Sequence, residues 1–258
     1  MSQRVANVAR HLTTSAKKGV CLVVGAGDAT GGAIARRFAK EGYTTAVVRR
    51  NKEPLEDLVK QIQIAGGNAV AFACDARKEE QVVDLVQKIE KDLGPIEIAV
   101  HNIGANMNFP ITETTTRKYT KIWEMAALTA FHMGREVARV MTPRKQGTII
   151  ITGATASLRG GSGFAAFAGA KHAKRALAQA MARELGPKGI HVAHTIIDGP
   201  IETNFVRDIW GEDNFKNLQD NGGLLLPDEI AKVYLDIHNQ HPSAWTFELD
   251  LRPYCEKW

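Results

Sequence analysis

The stretch "VVGAGDATGGAIA", Val23–Ala35, decides how the rest of the chain is read. Its two valines close "GVCLVVGAG", an apolar run with the length of a buried strand. After the glycines, "GGAIARRFAKEG" repeats apolar residues at helical spacing and stops at Gly42. A strand, a glycine-rich turn and a helix N-terminus make a seat for a pyrophosphate. The first-turn N–H groups have no partner within the helix, and glycine lets the backbone come close to the anion. A glycine-rich turn alone carries little information; the strand before it and the helix after it make the signal specific. Gly25, Gly27, Thr30 and Gly31 are expected to hold the phosphates.

The pattern continues in the same alternation. "YTTAVVRR", "NAVAFACD", "PIEIAVHNIG", "GTIIITGA", "GIHVAHTIIDGP" and "AWTFELDL" read as six further strands. Between them lie a helix opened by Pro54, a helix over "EEQVVDLVQKIEKDLG" and a long helical region from about Arg117 to Met141. A helix carrying Phe167 and Lys171 runs to about Leu185, and a last one begins at Asp228. Strands alternating with crossover helices predict an α/β fold: a Rossmann-type, doubly wound, seven-stranded parallel sheet with helices on both faces, forming a single domain over residues 19–258. Residues 203–226, with Gly211, Gly222 and Gly223, are less regular and read as either a substrate lid or a surface insertion.

The second strand bears on cofactor choice. Folds that bind NAD place an acid about twenty residues past the loop, on the ribose hydroxyls. This chain has Arg49 and Arg50 there. Guanidinium groups pair with a 2′-phosphate, so NADP(H) is expected in preference to NAD(H).

Composition excludes several alternatives. The chain has 258 residues, 44% hydrophobic and 24% charged, as an ordinary globular protein does. No apolar run approaches the roughly 18 residues of a membrane span. Net charge is +5, but no basic stripe or RNA-binding motif accompanies it, so no nucleic-acid partner is expected. Cys21, Cys74 and Cys255 lie far apart, which predicts neither a disulfide framework nor a metal site and suits a reducing compartment: cytoplasm, with the mitochondrial matrix as the alternative. That alternative comes from residues 1–18, "MSQRVANVARHLTTSAKK", which contain no acid and read as a basic arm or a targeting segment.

With the loop, three other stretches carry a resemblance. "CDAR" follows the third strand, "HNIG" the fourth and "DGPIET" the sixth. Together with the Gly25, Ala29, Gly31 spacing they resemble the short-chain dehydrogenase/reductase family over roughly residues 19–251. The loop is similar to its T-G-x-x-x-G-x-G segment, with Val24 in place of threonine and Ala29 in place of the middle glycine. The resemblance implies that Asp75 and Ala76 lie at the adenine, and that Asn102, Ile103 and Gly104 line the cofactor. It assigns Gly199, Ile201 and Thr203 to the turn beside the nicotinamide. It also implies a small-molecule substrate and a homodimer or homotetramer.

The family's chemistry needs a tyrosine to give a proton, a lysine four residues later, a serine thirteen residues before the tyrosine, and an asparagine in the preceding long helix. Matched residue by residue, the lysine is Lys171, which the resemblance assigns to the nicotinamide ribose. The tyrosine position is Phe167, the serine position Ala154 and the asparagine position Ala127. Phenylalanine and alanine have no proton to give, and general acid–base catalysis typically contributes about 10²–10⁴-fold. Asp198 is the first candidate for a substitute acid, although an Asx-type turn before Gly199 and Pro200 is the better explanation of it. Thr155 and Ser157 would need a shift of register. Ser162 suits a helix N-cap, His172 a surface, and Tyr119 the entrance of the long helix; Asn106 and Asn108 could line a pocket. Three functions remain: an NADP(H)-dependent oxidoreductase with non-standard proton delivery to an activated C=O, C=N or C=C; a nucleotide-binding protein without turnover; and a non-redox catalyst such as a cyclase.

Overall fold

The computed structural model describes residues 18–256; most of the basic arm, residues 1–17, and Trp258 lie outside the described residues. The strands are β1 (Val20–Val24), β2 (Thr44–Arg49), β3 (Asn68–Ala73), β4 (Ile96–His101), β5 (Gly147–Thr152), β6 (Ile190–Ile197) and β7 (Glu248–Leu251). They form one sheet in the order β3-β2-β1-β4-β5-β6-β7, and every adjacent pair is parallel. The α/β expectation therefore holds in strand number, direction and layering.

The helices are α1 (Thr30–Lys40), α2 (Glu56–Ile64), α3 (Glu79–Asp92), α4 (Thr116–Trp123), α5 (Thr129–Met141), α6 (Ala165–Leu185), α7 (Asn204–Trp210), α8 (Glu212–Asp220) and α9 (Pro227–His238). Successive strand residues face opposite sides of the sheet, and β1 shows what that does to the core. Cys21 and Val23 pack with Ile34 and Phe38 of α1, Leu58 of α2 and Tyr234 of α9. Val20, Leu22 and Val24 pack with Leu85 of α3, Met133 of α5 and Leu185 of α6. Strands covered on both faces read as continuous apolar runs, which is why "CLVV" shows no alternation.

Three features differ from the expected pattern. The long helix is interrupted by a π turn, Glu124–Leu128, between α4 and α5. There the Thr129 hydroxyl donates to the Met125 carbonyl at 2.6 Å. Residues 203–226, expected to be less regular, include two short helices; the Thr203 hydroxyl caps α7 by accepting from Val206 N–H at 3.1 Å. Strand β7 holds four residues, because Trp245 leaves the sheet to stack on His191 at 4.8 Å.

Tyr234 of α9 is fully buried, and its hydroxyl pairs with Thr152 Oγ1 at 2.8 Å and Thr195 Oγ1 at 2.6 Å. Tyr234→Phe should leave buried hydroxyls short of a partner and cost about 1–3 kcal/mol, read as a lower urea midpoint with an unchanged slope.

Candidate active site

The strand order reverses between β1 and β4, and a crevice opens there at the carboxyl ends of the strands. It continues past β5 and β6 as one cleft of about 1100 Å³. Its wall begins at the glycine loop. Gly25 has φ +93°, and a β-carbon there would sit 2.8 Å from the carbonyl carbon of Asn102. Asn102 Nδ2 donates to the Gly25 carbonyl at 3.2 Å, tying the loop to the end of β4. Gly31 comes as close: a β-carbon on it would lie 2.6 Å from the Gly25 carbonyl oxygen. Ala29 has φ −99° and ψ −133°, and its negative φ does not call for glycine. No side chain caps α1, and its first turn holds no acid. The Thr30 hydroxyl, buried at that helix start, has no hydrogen-bond partner. An uncapped positive helix end with an orphaned hydroxyl suits an anion.

Gly27, Arg49, Arg50, Asp75, Ala76, Ile103 and Gly104 line the same cleft, as do Gly199, Ile201 and Thr203 on its far side. Arg49 Nη1 lies 3.8 Å from where a β-carbon on Gly27 would be. Both arginines are exposed, and among the described residues neither bonds a carboxylate. Asp75 is already engaged: Arg77 Nε and Nη2 donate to its two oxygens at 2.8 and 2.6 Å. That hydrogen-bonded guanidinium, aided by the charge of Arg50, holds the Asp75 carboxyl below its usual range.

Further in, Lys171 and Phe167 of α6 lie beside Ala154. Phe167 is 6% exposed, and its ring centre is 5.5 Å from Lys171 Nζ. Lys171 Nζ donates to the Thr152 and Gly153 carbonyls at 3.3 and 3.4 Å. Burial pulls its pKa down to about 8. Thr155 lines the cleft, and its hydroxyl donates to Asp198 Oδ1 at 2.5 Å. Asp198 itself is buried and does not line the cleft. Arg159 Nη2 lies 3.7 Å from Asp198 Oδ1, and Arg252 Nη2 lies 3.5 Å from Oδ2. Asn106 and Asn108 reach the rim, and Asn108 Nδ2 donates to the Ser162 carbonyl at 3.3 Å. Ser162 caps nothing, since α6 starts at Ala165 with Phe164 in the cap position. Ser157 is fully buried, His172 is exposed, and Tyr119 lies on α4, all three away from the cleft lining. Ala127 falls inside the π turn, where Met125 of the same turn and Thr129 just after it line the cleft instead.

A family model described as short chain dehydrogenase matches residues 19–214. The chain belongs to the short-chain dehydrogenase family. A short-chain dehydrogenase from Rhodopseudomonas palustris is 47% identical, with a TM-score of 0.79, over 92% of this chain and 99% of that one. An uncharacterised oxidoreductase of Bacillus subtilis (strain 168) is 32% identical over 74% of each chain. The 3-oxoacyl-[acyl-carrier-protein] reductase of Bos taurus is 29% identical over 77% of this chain and 82% of its own. An actinorhodin polyketide ketoreductase variant solved with NADPH, 24% identical over 93% of this chain and 98% of that one, has a TM-score of 0.85 and shares the fold.

A buried polar layer behind this family member's cleft left no trace in the sequence pattern. Lys174, one turn after Lys171, is fully buried and donates to the Ile103 carbonyl at 3.2 Å. Burial, then the charge of Lys171, lowers its pKa well below the usual value. His101 pairs with Thr129 Oγ1 at 2.9 Å, and His194 Nδ1 with Glu248 Oε2 at 2.9 Å. Burial depresses both imidazoles, His194 to about 4. Polar residues buried by tertiary packing look like surface residues in a one-dimensional pattern. The shared signal among Lys171, Lys174 and His194 arises only once α6 lies on the sheet.

Lys171 gives a pH-dependent stability. Its folded pKa of about 8 lies below the unfolded value of 10.5. Between these values the unfolded chain holds more protons, so the penalty for burying the ammonium is full below pH 8 and relieved as pH rises. Lys171→Met should therefore stabilise the protein near neutral pH, by at most about 3 kcal/mol. The gain should shrink in urea titrations run near pH 9.5, between the two pKa values.

Proposed function

We propose that this chain is an NADP(H)-dependent oxidoreductase acting on an activated small molecule, with the usual serine and tyrosine of its family replaced by Ala154 and Phe167. The observation that carries the cofactor assignment is the loop: an uncapped helix start with an orphaned Thr30 hydroxyl, facing a cradle that a β-carbon on Gly31 would fill. These groups fit a pyrophosphate. Arg49 and Arg50 fit a 2′-phosphate beyond it, and Lys171 Nζ fits the nicotinamide ribose hydroxyls. When bound, the reduced nicotinamide would supply hydride. The protein's part is to hold the two reactants close and to exclude water.

No phenol faces the substrate side in this reading. Phe167 and Ala154 offer neither donor nor acceptor. Lys171, with its pKa near 8, is the cleft ammonium able to hold or release a proton close to neutrality. A substrate that is already electrophilic requires less of such help than a simple ketone. The apolar substitutions also favour a second reading, a nucleotide-binding protein without turnover.

Two measurements test these readings. NADPH should bind at least about tenfold more tightly than NADH, and Arg49→Ala with Arg50→Ala should remove the preference while leaving NADH binding unchanged. Equal binding of the two nucleotides by the parent protein would refute the NADP assignment. Oxidation of NADPH across a panel of imines, enones and ketones should be confined to the activated members; none at all would favour the second reading. Phe167→Tyr combined with Ala154→Ser should then raise ketone reduction by about 10²-fold or more, the typical worth of a general acid.

A further inference from the structure

The corner of the cleft next to Ala154 holds a hydroxyl whose proton is already committed. Thr155 lines the cleft, and its Oγ1–H donates to Asp198 Oδ1 at 2.5 Å. An ionised carboxylate only accepts, and a threonine hydroxyl has a single proton. What Thr155 can still offer a ligand is a lone pair. Thr155 and Asp198 together are therefore an acceptor with a carboxylate one bond behind it. We infer that this pair selects a substrate carrying a hydrogen-bond donor at its reacting end, and so narrows the activated substrates of the proposed reaction to the protonated C=N class, a secondary iminium.

A ketone oxygen placed there would meet an acceptor and gain nothing, since Ala154 and Phe167 add no donor. An iminium N–H would donate to Thr155, and its positive charge would be stabilised by the carboxylate behind. Two guanidiniums face Asp198: Arg159 from the loop after β5 and Arg252 from the tail. Arg252 also pairs with Asp250, and the Arg159 side chain is half exposed, where solvent and salt screen it. The aromatic walls act in the same direction. Phe164 and Phe167 line the cleft with ring centres 6.3 Å apart, and Trp210 lines it from α7. Aromatic faces attract a desolvated cation.

This inference rests on the oxidoreductase reading, but its test does not need turnover. The probes are 2-phenylpyrrolidine, a protonated amine, and its oxygen isostere 2-phenyltetrahydrofuran, titrated calorimetrically into the full chain loaded with NADP⁺. The amine should bind at least about tenfold more tightly, the typical worth of a charge-assisted hydrogen bond. Thr155→Val, which keeps the shape and removes the hydroxyl, should erase that difference while NADP⁺ affinity stays that of the parent protein and melting falls only modestly, as expected for one lost bond to buried Asp198. Asp198→Asn should reduce the difference; because Asp198 is buried in an ion network, the Thr155 variant is the deciding one. Equal binding of the two probes, tighter binding of the ether, no binding of the amine, or an amine preference that survives Thr155→Val would each overturn the inference. Imine reduction with an unchanged probe ratio in Thr155→Val would sink it and leave the oxidoreductase reading standing. An amine preference with no NADPH oxidation by any imine would do the reverse.

Discussion

The close approach of the Gly25 turn to the end of β4 governs the rest of the site. No β-carbon fits between Gly25 and the Asn102–Ile103 backbone, and the turn bends at a positive φ that glycine adopts freely. Because the turn is that tight, α1 starts directly over the crevice with its N–H groups aimed inward. The same contact sets the β4 loop against the cofactor wall, where Lys174 grips it from behind through the Ile103 carbonyl. Loop, helix end and buried lysine thus form one unit, and the cleft takes its width from it.

The two halves of that cleft differ in chemistry. On the loop side, polar and cationic groups stand without a carboxylate or side-chain cap: the Thr30 hydroxyl, the α1 N-terminus, and the exposed Arg49 and Arg50 at the end of β2. On the other side the polar groups are absent, as at Ala154 and Phe167, or tied to one another, as in Asp198, Arg159 and Arg252, and only Thr155, at the edge of that network, keeps a lone pair beside the cleft. Unpaired polar groups mark places where a ligand completes the bonding, whereas closed networks fix a shape.

Much of this was legible in the sequence, and the reasons differ by element. The seven parallel strands followed from apolar runs alternating with helical periods, and the phosphate turn from the glycines at Gly25 and Gly31. Arg49 and Arg50 were visible because they stand at the carboxyl end of the second apolar run, and both line the cleft. The π turn was not, since one residue added to a turn barely disturbs apolar spacing; its trace is the Thr129 hydroxyl bonded four residues back. Helices α7 and α8 were missed because they are short and largely exposed, although Thr203 is an N-cap signal that marks the first. Ser162 misled for the opposite reason: its residue type suits a cap, but the glycines around it let the chain turn later, at Phe164. Asp198 was placed correctly after β6, yet its partners come from Thr155, Arg159 and Arg252, which no local pattern connects.

The last residues of the described chain have an effect out of proportion to their number. Pro253 packs on Gly199, the Tyr254 ring on Gly222, and the Tyr254 hydroxyl donates to the Asn221 carbonyl at 3.3 Å. Arg252 meets Asp198 under the substrate corner. The product of a premature stop after Leu251 would keep all seven strands, although buried Asp198 would lose one of its two guanidiniums. It would lack the clasp between the turn after α8 and the cleft floor. Natural variation at this tail can therefore alter what the protein accepts while leaving the sheet intact, which makes the tail a place where relatives sharing one fold can diverge in substrate.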